Sequence, residues 1–178
     1  MLDRFKQDVQ RWVVPQQVAD PSLVTFGRTL KLLWLHKPLR AMLWLRFGSW
    51  CVSKHIPLAT SMTMMILYYF HGLEITPTAD VGGGLYIAHP QGTVLSAKRI
   101  GRNCTVIHNV TVGMRNEWAF PEIGDDVFIG AGARVLGGIV VGDGARIGAN
   151  AVVIQDVPAG ATVVGIPARV IATAEDQV

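Results

Sequence analysis

Cysteine and charged residues are both scarce in this sequence. Cys51 and Cys104 are the two cysteines among 178 residues, and charged residues make up 16%. The cysteine spacing matches neither a disulfide framework nor a metal-binding motif, and a reducing compartment suits it. Neither cysteine lies in a nucleophile motif, so we interpret both as small, buried, apolar residues. Hydrophobic residues make up 50% of the chain, which excludes intrinsic disorder except at the ends.

Long hydrophobic segments are also missing. The first residues, MLDRFKQDVQRWVVP, contain no apolar segment suited to export, so we expect no signal peptide. The longest uncharged apolar run, residues 56–70, has 15 residues, fewer than the roughly 18–20 that span a bilayer. We interpret this run as a buried helix. The sequence therefore predicts a cytoplasmic protein, with a position at the inner face of the membrane as the alternative.

The net charge of +3 is distributed unevenly. Residues 1–72 contain nine Lys or Arg and three Asp or Glu, whereas residues 73–178 contain seven and ten. We interpret the basic first part as a helical region whose Lys and Arg face water. Peripheral contact with an anionic membrane is the alternative. No nucleic-acid-reading motif accompanies the charge, so we expect no nucleic-acid partner.

Two regions of the chain follow different patterns. Residues 1–72 read as helical, because apolar residues recur at three-and-four spacing and Pro38 interrupts the run. Pro57 is expected to begin another helix. From residue 73 to 178 the helical pattern is replaced by an internal repeat. We therefore predict an N-terminal α-helical region, 1–72, followed by a second domain, 73–178.

The repeat has a period of six residues, with one extra residue near Thr93 and a break at 113–122. The predicted inward-facing residues are Ile75, Val81, Ile87, Val94, Ile100, Val106, Val112, Ile123, Ile129, Val135, Val141, Ile147 and Val153, with Ala159 and Gly165 ending the series. This period fits neither an amphipathic helix nor a hairpin, but it fits a triangular solenoid with three hexads to a coil. The sequence therefore predicts a mainly β fold, a left-handed parallel β-helix with a hexapeptide repeat, which is an exception to right-handed crossovers.

The repeat places two histidines on one face. His89 and His108 each follow an inward residue by two positions, and those residues lie one coil apart. The two side chains are therefore expected about 5 Å apart. A neutral histidine can remove the proton of an attacking hydroxyl, and Asn109 or backbone N–H groups can stabilise the oxyanion of a thioester. The alternative is a pair of exposed polar residues at a tolerant repeat position.

The break and the C-terminal coils supply further candidates. The loop GMRNEWAFPE carries Trp118 and Phe120, which we interpret as an acceptor wall or as a contact with a neighbouring subunit. Small residues in GAGAR and GARIGAN can flank a CoA arm. Arg134 and Arg146 are two hexads apart and so lie on different faces, which leaves one of them to meet the CoA phosphates. No nucleophile-elbow serine or cysteine is present, which favours direct transfer.

Residues 75–171 resemble a known family. The pieces HNVTVG, IGDDVFIGAGARVLGGIVVGDGARIGANAVV and VGIPARVI are similar to the catalytic domain of bacterial serine O-acetyltransferases and of their relatives that acetylate capsule or exopolysaccharide sugars. The resemblance implies acetyl-CoA as co-substrate and a homotrimer with active sites between subunits. We expect no metal. A dimer of trimers is a further option.

The resemblance also assigns roles to individual residues. It places the catalytic histidine on His89 and CoA backbone contacts near Gly113, Ala131 and Ala149. Arg146 falls near the end of the CoA molecule.

Two departures from the serine enzymes bear on the acceptor. Ala88 stands where they have an aspartate, and Ala119 and Phe120 stand where they have an Arg-His pair that helps to hold serine. A histidine at position 108 is familiar in the sugar-modifying relatives. We therefore predict an acetyl-CoA-dependent O-acetyltransferase that acts on a saccharide hydroxyl in polysaccharide biosynthesis.

Three alternatives remain open. One is L-serine O-acetyltransferase activity. Another is a zinc carbonic-anhydrase-like branch of the fold, which needs three histidine ligands where the coil has two. The last is a non-catalytic, trimeric, membrane-associated scaffold.

Overall fold

A computed structural model describes residues 1–13 and 24–173. Its helices are α1 (Leu2–Val13), α2 (Phe26–Leu35), α3 (Lys37–Ser53), α4 (Ala59–Ile66) and a π-helical turn (Leu67–His71). Pro38 lies in the first turn of α3, which confirms the predicted interruption. Helix α4 begins two residues after Pro57. The helical elements end at His71 and the first strand begins at Leu73. The division into two domains at residue 72 remains a prediction.

Within the described residues, the rest of the chain winds through three sheets of short strands. Sheet A contains β1 (Leu73–Ile75), β4 (Thr93–Leu95), β7 (Thr111–Gly113), β10 (Arg134–Leu136) and β13 (Val152–Val153). Sheet B contains β2 (Asp80–Val81), β5 (Arg99–Ile100), β8 (Glu122–Ile123) and β11 (Val140–Val141). Sheet C contains β3 (Tyr86–His89), β6 (Thr105–His108), β9 (Phe128–Ile129), β12 (Arg146–Ile147), β14 (Thr162–Gly165) and β15 (Ala168–Ala172).

The strand order confirms the predicted β-helix. From β1 to β14 consecutive strands belong to different sheets, and each strand pairs in parallel with the strand one coil away. Strand β15 instead pairs antiparallel with β14 in sheet C. The chain makes about 5 turns. Aliphatic side chains from all three sheets meet in one narrow core, and backbone groups are satisfied by the neighbouring coils.

The inward positions follow the hexad series with one error in its first half. The structure buries Leu95 rather than Val94, because Ile75 is in register with Leu95. Leu95 therefore lies eight residues after Ile87 and five before Ile100, and Thr93 turns inward with it.

A second error lies at the ragged end of the series. Ala159 and Gly165 are exposed, and Val157 and Val163 occupy the inward positions. Asp156 accepts a hydrogen bond from the Val140 N–H at 2.8 Å, so the chain turns early here and shortens the spacing from Val153.

A column of glycines stacks along one corner of the coil. A Cβ on Gly82 would lie 2.6 Å from the carbonyl carbon of Gly101, and one on Gly142 would lie 2.5 Å from the Ala159 nitrogen. Gly101 and Gly124 meet the next coil in the same way. These glycines are needed because successive coils approach too closely for a side chain.

The helical region differs from one expectation. We predicted a buried helix over residues 56–70, but its large side chains are mostly exposed, including Met65 at 52%, Tyr69 at 75% and Phe70 at 68%. Ala59, Thr63, Leu67 and His71 are its buried face. The apolar composition of this segment predicted more burial than the structure shows, because only one face of the helix packs on the rest of the chain. No helix in the described ranges is long and apolar enough to cross a membrane.

Helix α1 is fixed to the first coil by a buried ion pair. Asp8 accepts hydrogen bonds from Arg46 Nε at 2.8 Å and from Arg46 Nη2 at 3.0 Å. The Leu85 N–H donates to the same carboxylate at 3.0 Å, and Arg46 donates to the carbonyls of Val81 and Gly82. Asp8 and Arg46 are 0% and 3% exposed, so this network joins the helices to the β-helix away from water.

The two cysteines are free and buried, as predicted. Burial raises the pKa of the Cys104 thiol from 9.0 to about 11. The thiol is therefore protonated at neutral pH and is not a nucleophile.

We expect the raised pKa of Cys104 to make the fold less stable at high pH. A folded-state pKa above the unfolded value favours folding at low pH, and this contribution is lost as the pH rises from 9.0 towards about 11. The loss is about 3 kcal/mol, at about 1.4 kcal/mol for each pKa unit. Urea unfolding of wild type and Cys104→Ala across this range measures it. Equal slopes against pH in the two proteins would contradict the assignment.

Candidate active site

The two predicted histidines meet at the carboxyl ends of β3 and β6. His89 and His108 are register partners in the parallel β3–β6 pair, and their ring centroids lie 6.1 Å apart at an interplanar angle of 80°. Both side chains are exposed. Within residues 1–13 and 24–173, neither imidazole has a hydrogen bond or an ion pair. Both rings are therefore open to accept a proton from an incoming hydroxyl.

The backbone conformation of the turn after His108 accounts for an asparagine at position 109. This residue has φ 51°, a left-handed conformation, and it lies between Gly92 at φ 69° and Gly132 at φ 71° on the coils above and below. Asparagine tolerates this conformation better than most residues. Arg134 Nη1 donates to the Asn109 carbonyl, a contact that the sequence did not suggest. Stabilising an oxyanion remains a prediction for Asn109, whereas its place in the turn follows from the fold.

On the next two coils, small residues occupy the positions equivalent to the two histidines. We call the corner that bears these residues the histidine corner, formed by residues 89–92, 108–110, 130–133 and 148–151. The Gly132 N–H donates to the His108 carbonyl at 2.8 Å, and the Asn150 N–H donates to the Ala131 carbonyl at 2.8 Å. Ala131 and Ala149 therefore follow the two histidines coil by coil. The corner extends about 14 Å from His89 to Ala149, at about 4.8 Å per coil.

Gly113 and Arg146, the other two predicted CoA contacts, lie outside the residues that form this corner. Gly113 lies at the far end of β7, paired with Leu136. Arg146 is exposed on sheet C, with its guanidinium carbon 5.0 Å from the centroid of the Phe128 ring. Its strand leads directly into the turn that holds Ala149. Arg134 is on β10 of sheet A, which agrees with the prediction that the two arginines occupy different faces.

The ejected loop forms a second candidate surface. Trp118 and Phe120 pack edge to face with their ring centroids 5.4 Å apart, and Trp118 is 82% exposed. They line a cavity of about 370 Å³ together with Lys98 and Glu122, which form an ion pair at 2.5 Å. We call this the loop cavity. The pattern analysis missed Lys98 and Glu122, because a lysine and a glutamate one coil apart look like ordinary surface residues.

Within one chain the loop cavity does not adjoin the histidine corner. The histidines lie where the chain passes from sheet C to sheet A, whereas the loop connects β7 of sheet A to β8 of sheet B. Strand β7 separates the two corners by about 10 Å, at about 3.3 Å per residue. A site that uses both surfaces would have to be assembled from neighbouring copies of the chain.

The arrangement supports proton transfer better than metal chemistry at this corner. The carbonic-anhydrase-like alternative needs three histidine ligands, and the corner brings two together. In the part of the chain that the structure describes, no group of three or more His, Cys, Asp or Glu is placed to hold a metal ion.

Comparison with known proteins defines the class. Residues 120–155 match the family model for bacterial transferase hexapeptide repeats. The chain is thus a hexapeptide-repeat transferase, and its left-handed β-helix is the fold of that class.

Individual relatives define the family. A serine acetyltransferase from Helicobacter pylori is 37% identical over 145 residues, which cover 79% of this chain and 85% of the relative. A Neisseria gonorrhoeae serine acetyltransferase solved in complex with serine has a TM-score of 0.77 and 31% identity, over 94% of this chain and 68% of that one. A serine acetyltransferase solved with CoA has a TM-score of 0.79 and 28% identity, over 96% and 69%.

The chain therefore belongs to the serine acetyltransferase family. It is an acetyl-CoA-dependent O-acetyltransferase, which confirms the predicted reaction and co-substrate. This result also sets aside the non-catalytic scaffold.

Proposed function

We propose that this chain transfers the acetyl group of acetyl-CoA to the hydroxyl of L-serine, with His89 as the general base. The observation that carries the proposal is family membership over most of the chain, with relatives that are named for serine and solved in complex with it. The saccharide acceptor and polysaccharide biosynthesis, which we favoured from Ala88 and Phe120, have no support among these relatives. L-Serine, the alternative, takes their place.

The reaction needs one general base and one set of hydrogen-bond donors held in place for the oxyanion. A His89 ring nitrogen accepts the proton of the serine hydroxyl as its oxygen attacks the thioester carbonyl. Backbone N–H groups of the histidine corner, or the Asn109 amide, stabilise the oxyanion that forms. The carbon–sulfur bond then breaks, and the CoA thiolate takes the proton from His89. The products are O-acetyl-L-serine and CoA.

The histidine corner supports binding of the donor along one line. His89 and His108 are followed on successive coils by Ala131 and Ala149, whose short side chains leave the backbone accessible to an extended pantetheine arm. Arg146, exposed on the strand that leads to Ala149, is placed to meet a CoA phosphate. The thioester end would then lie at the histidines and the nucleotide end towards the C-terminal coils.

Binding of the acceptor beside His89 requires a second subunit, and we expect that subunit to come from a trimer. The loop cavity is separated from His89 within the chain, so we propose that the loop of one subunit faces the histidines of the next. Cyclic assembly repeats one such head-to-tail interface three times. This arrangement brings Trp118 and Phe120 to the acceptor, the role expected for them.

Activity of mixed trimers tests this shared site. We expect His89→Ala chains and Trp118→Ala/Phe120→Ala chains, each inactive alone, to recover activity when they are unfolded and refolded together. Recovery should reach about one quarter of the wild-type rate, since about three-quarters of random trimers are mixed and each holds one intact site. Mixing the two proteins without refolding is the control. No recovery after verified subunit exchange would show that each chain uses its own loop.

The loop cavity also contains charged residues that could bind serine in place of the polar residues that this chain lacks. Lys98 and Glu122 can meet the carboxylate and the ammonium group of serine, a role played elsewhere by the residues replaced by Ala88, Ala119 and Phe120. We expect Lys98→Met to raise KM for L-serine about ten-fold with little change in kcat, because a charge-assisted hydrogen bond contributes about 1.5–3 kcal/mol. Steady-state kinetics measure the effect, with Arg99→Met, which changes the adjacent residue outside the loop cavity, as the control. A change confined to kcat would contradict a role in binding serine.

Initial rates of thiol release test the proposed function. Acetyl-CoA is supplied with L-serine, with L-alanine as the matched amino acid that lacks the hydroxyl, and with a panel of nucleotide sugars and oligosaccharides. Saturable release with L-serine and none with L-alanine is expected. Release with a saccharide alone would restore the saccharide acceptor.

A further inference from the structure

A cavity in the helical region lies outside the site described above. Its volume is about 500 Å³, and it is lined by Lys37, Arg40, Trp44, Ile66, Phe70 and His71. All six residues belong to α3, to α4 or to the π-helical turn. None is part of the histidine corner or the loop cavity. A ligand here would therefore be distinct from acetyl-CoA and serine.

His71 points to a ligand in this cavity. Its side chain is 5% exposed, and its Nδ1 atom is buried without a hydrogen-bond partner. Burial, followed by the charges of Lys37 and Arg40, lowers the pKa of His71, against a smaller opposing effect of the Lys37 backbone. The ring is therefore neutral at pH 7. We assign the ring proton to Nε2, because Nδ1 has no hydrogen-bond partner, so Nδ1 carries the lone pair.

Two cations flank this buried acceptor. Lys37 is exposed on the first residue of α3. Arg40 donates through Nη1 to the carbonyls of Leu33 at 2.7 Å and Trp34 at 3.0 Å, which leaves its other guanidinium N–H groups as donors. No Asp or Glu occurs between Asp20 and Glu74 in the sequence, so no carboxylate of that segment neutralises these charges. The cavity thus combines positive charge with one acceptor.

This combination selects among anions. Lys37 and Arg40 favour anionic oxygens, whereas a lone pair on Nδ1 requires a donor from the same ligand. A phosphate monoester has both, because its second pKa is near 6 and a hydroxyl remains on a fraction of molecules at neutral pH. Sulfate and carboxylate lack that proton at pH 7. The aromatic walls, Trp44 and Phe70, suit an organic group attached to the phosphate.

We propose that this cavity binds a phosphate monoester, with Lys37 and Arg40 donating to its oxygens and His71 Nδ1 accepting from its hydroxyl. Two sources share this chemistry. One is a small soluble phosphate ester, and the other is the headgroup of phosphatidic acid, with the exposed Phe70 side chain facing the acyl chains. Both present the same group to the same three side chains.

Calorimetric titration of the full-length protein tests the site. The probes are sn-glycerol 3-phosphate, sulfate as a matched anion without a proton, and phosphatidylcholine vesicles with or without phosphatidic acid. We expect phosphate ester to bind at least about ten-fold more tightly than sulfate, and Lys37→Gln to weaken it about ten-fold. Lys31→Gln, which removes an equal charge from exposed α2 outside the cavity, should leave the affinity within about two-fold.

The outcomes separate the two sources. Saturable binding of glycerol 3-phosphate that Lys37→Gln weakens identifies a soluble ligand. Binding confined to phosphatidic acid vesicles, with the same sensitivity, identifies the lipid headgroup. The proposal is overturned if neither probe binds, if sulfate binds as tightly, or if Lys37→Gln and Lys31→Gln behave alike. His71→Phe, which removes the acceptor while filling its space, should abolish the preference over sulfate.

Discussion

Replacing His89 by alanine should lower kcat for acetyl transfer by about 10²- to 10⁴-fold, the usual contribution of a general base. The side chain is exposed at the end of β3, so its loss should leave the fold and the affinity for CoA unchanged. Stopped assays of thiol release give kcat, and calorimetry with CoA gives the affinity. A fall in CoA affinity that matched the fall in kcat would point to binding rather than proton transfer.

His108 provides the matched control for this variant. It is also exposed, and its ring centroid lies 6.1 Å from that of His89 on the next coil. If His89 is the base, His108→Ala should cost about ten-fold or less, because His108 adjusts the surroundings of the reacting ring without accepting the proton. A larger loss in His108→Ala than in His89→Ala would exchange the two roles.

The second large effect concerns stability. Asp8→Ala should lower the free energy of unfolding by about 3–5 kcal/mol, because Arg46 would keep its charge in a buried position without its carboxylate. The Leu85 N–H would lose its acceptor as well. Urea unfolding followed by circular dichroism measures the change.

An exposed aspartate supplies the control for this prediction. Asp80 forms an ion pair with Arg4 at 3.7 Å, with side chains 62% and 54% exposed. Asp80→Ala should therefore change the free energy of unfolding by about 0–1 kcal/mol. If the two alanine variants unfold at the same urea concentration, the buried network does not hold α1 to the first coil.

The hexad repeat made the β-helix predictable, and its errors occur where the period fails. A fixed period defines the inward residues wherever hexads follow one another without interruption, from Ile100 to Val112 and again from Ile123 to Val153. The insertion near Thr93 could be counted but not located, because both Val94 and Leu95 are aliphatic. Pairing with Ile75 on the neighbouring coil determines that Leu95 faces inward. Such pairing involves two coils, so one segment of sequence cannot reveal it. The early turn that buries Val157 depends in the same way on Asp156 and its partner in the preceding coil.

The candidate site was predictable to a similar degree. Counting hexads was enough to place His89 beside His108, since both follow inward residues one coil apart. Trp118 follows His108 by ten residues in the sequence, yet it lies at another corner because the three residues of β7 intervene. The Lys98–Glu122 pair needed the coil register before it could be seen. Residues 56–70 show the remaining limit, since apolar composition does not say which neighbours cover a helix.

One competition experiment tests the central claim most directly. Wild-type protein is incubated with acetyl-CoA and an equimolar mixture of L-serine and the saccharide panel, and the products are identified by mass spectrometry. We predict O-acetyl-L-serine, formed in step with free CoA and absent when His89→Ala replaces the wild type. Acetylated saccharide with unmodified serine would contradict the account and return the acceptor to a sugar hydroxyl.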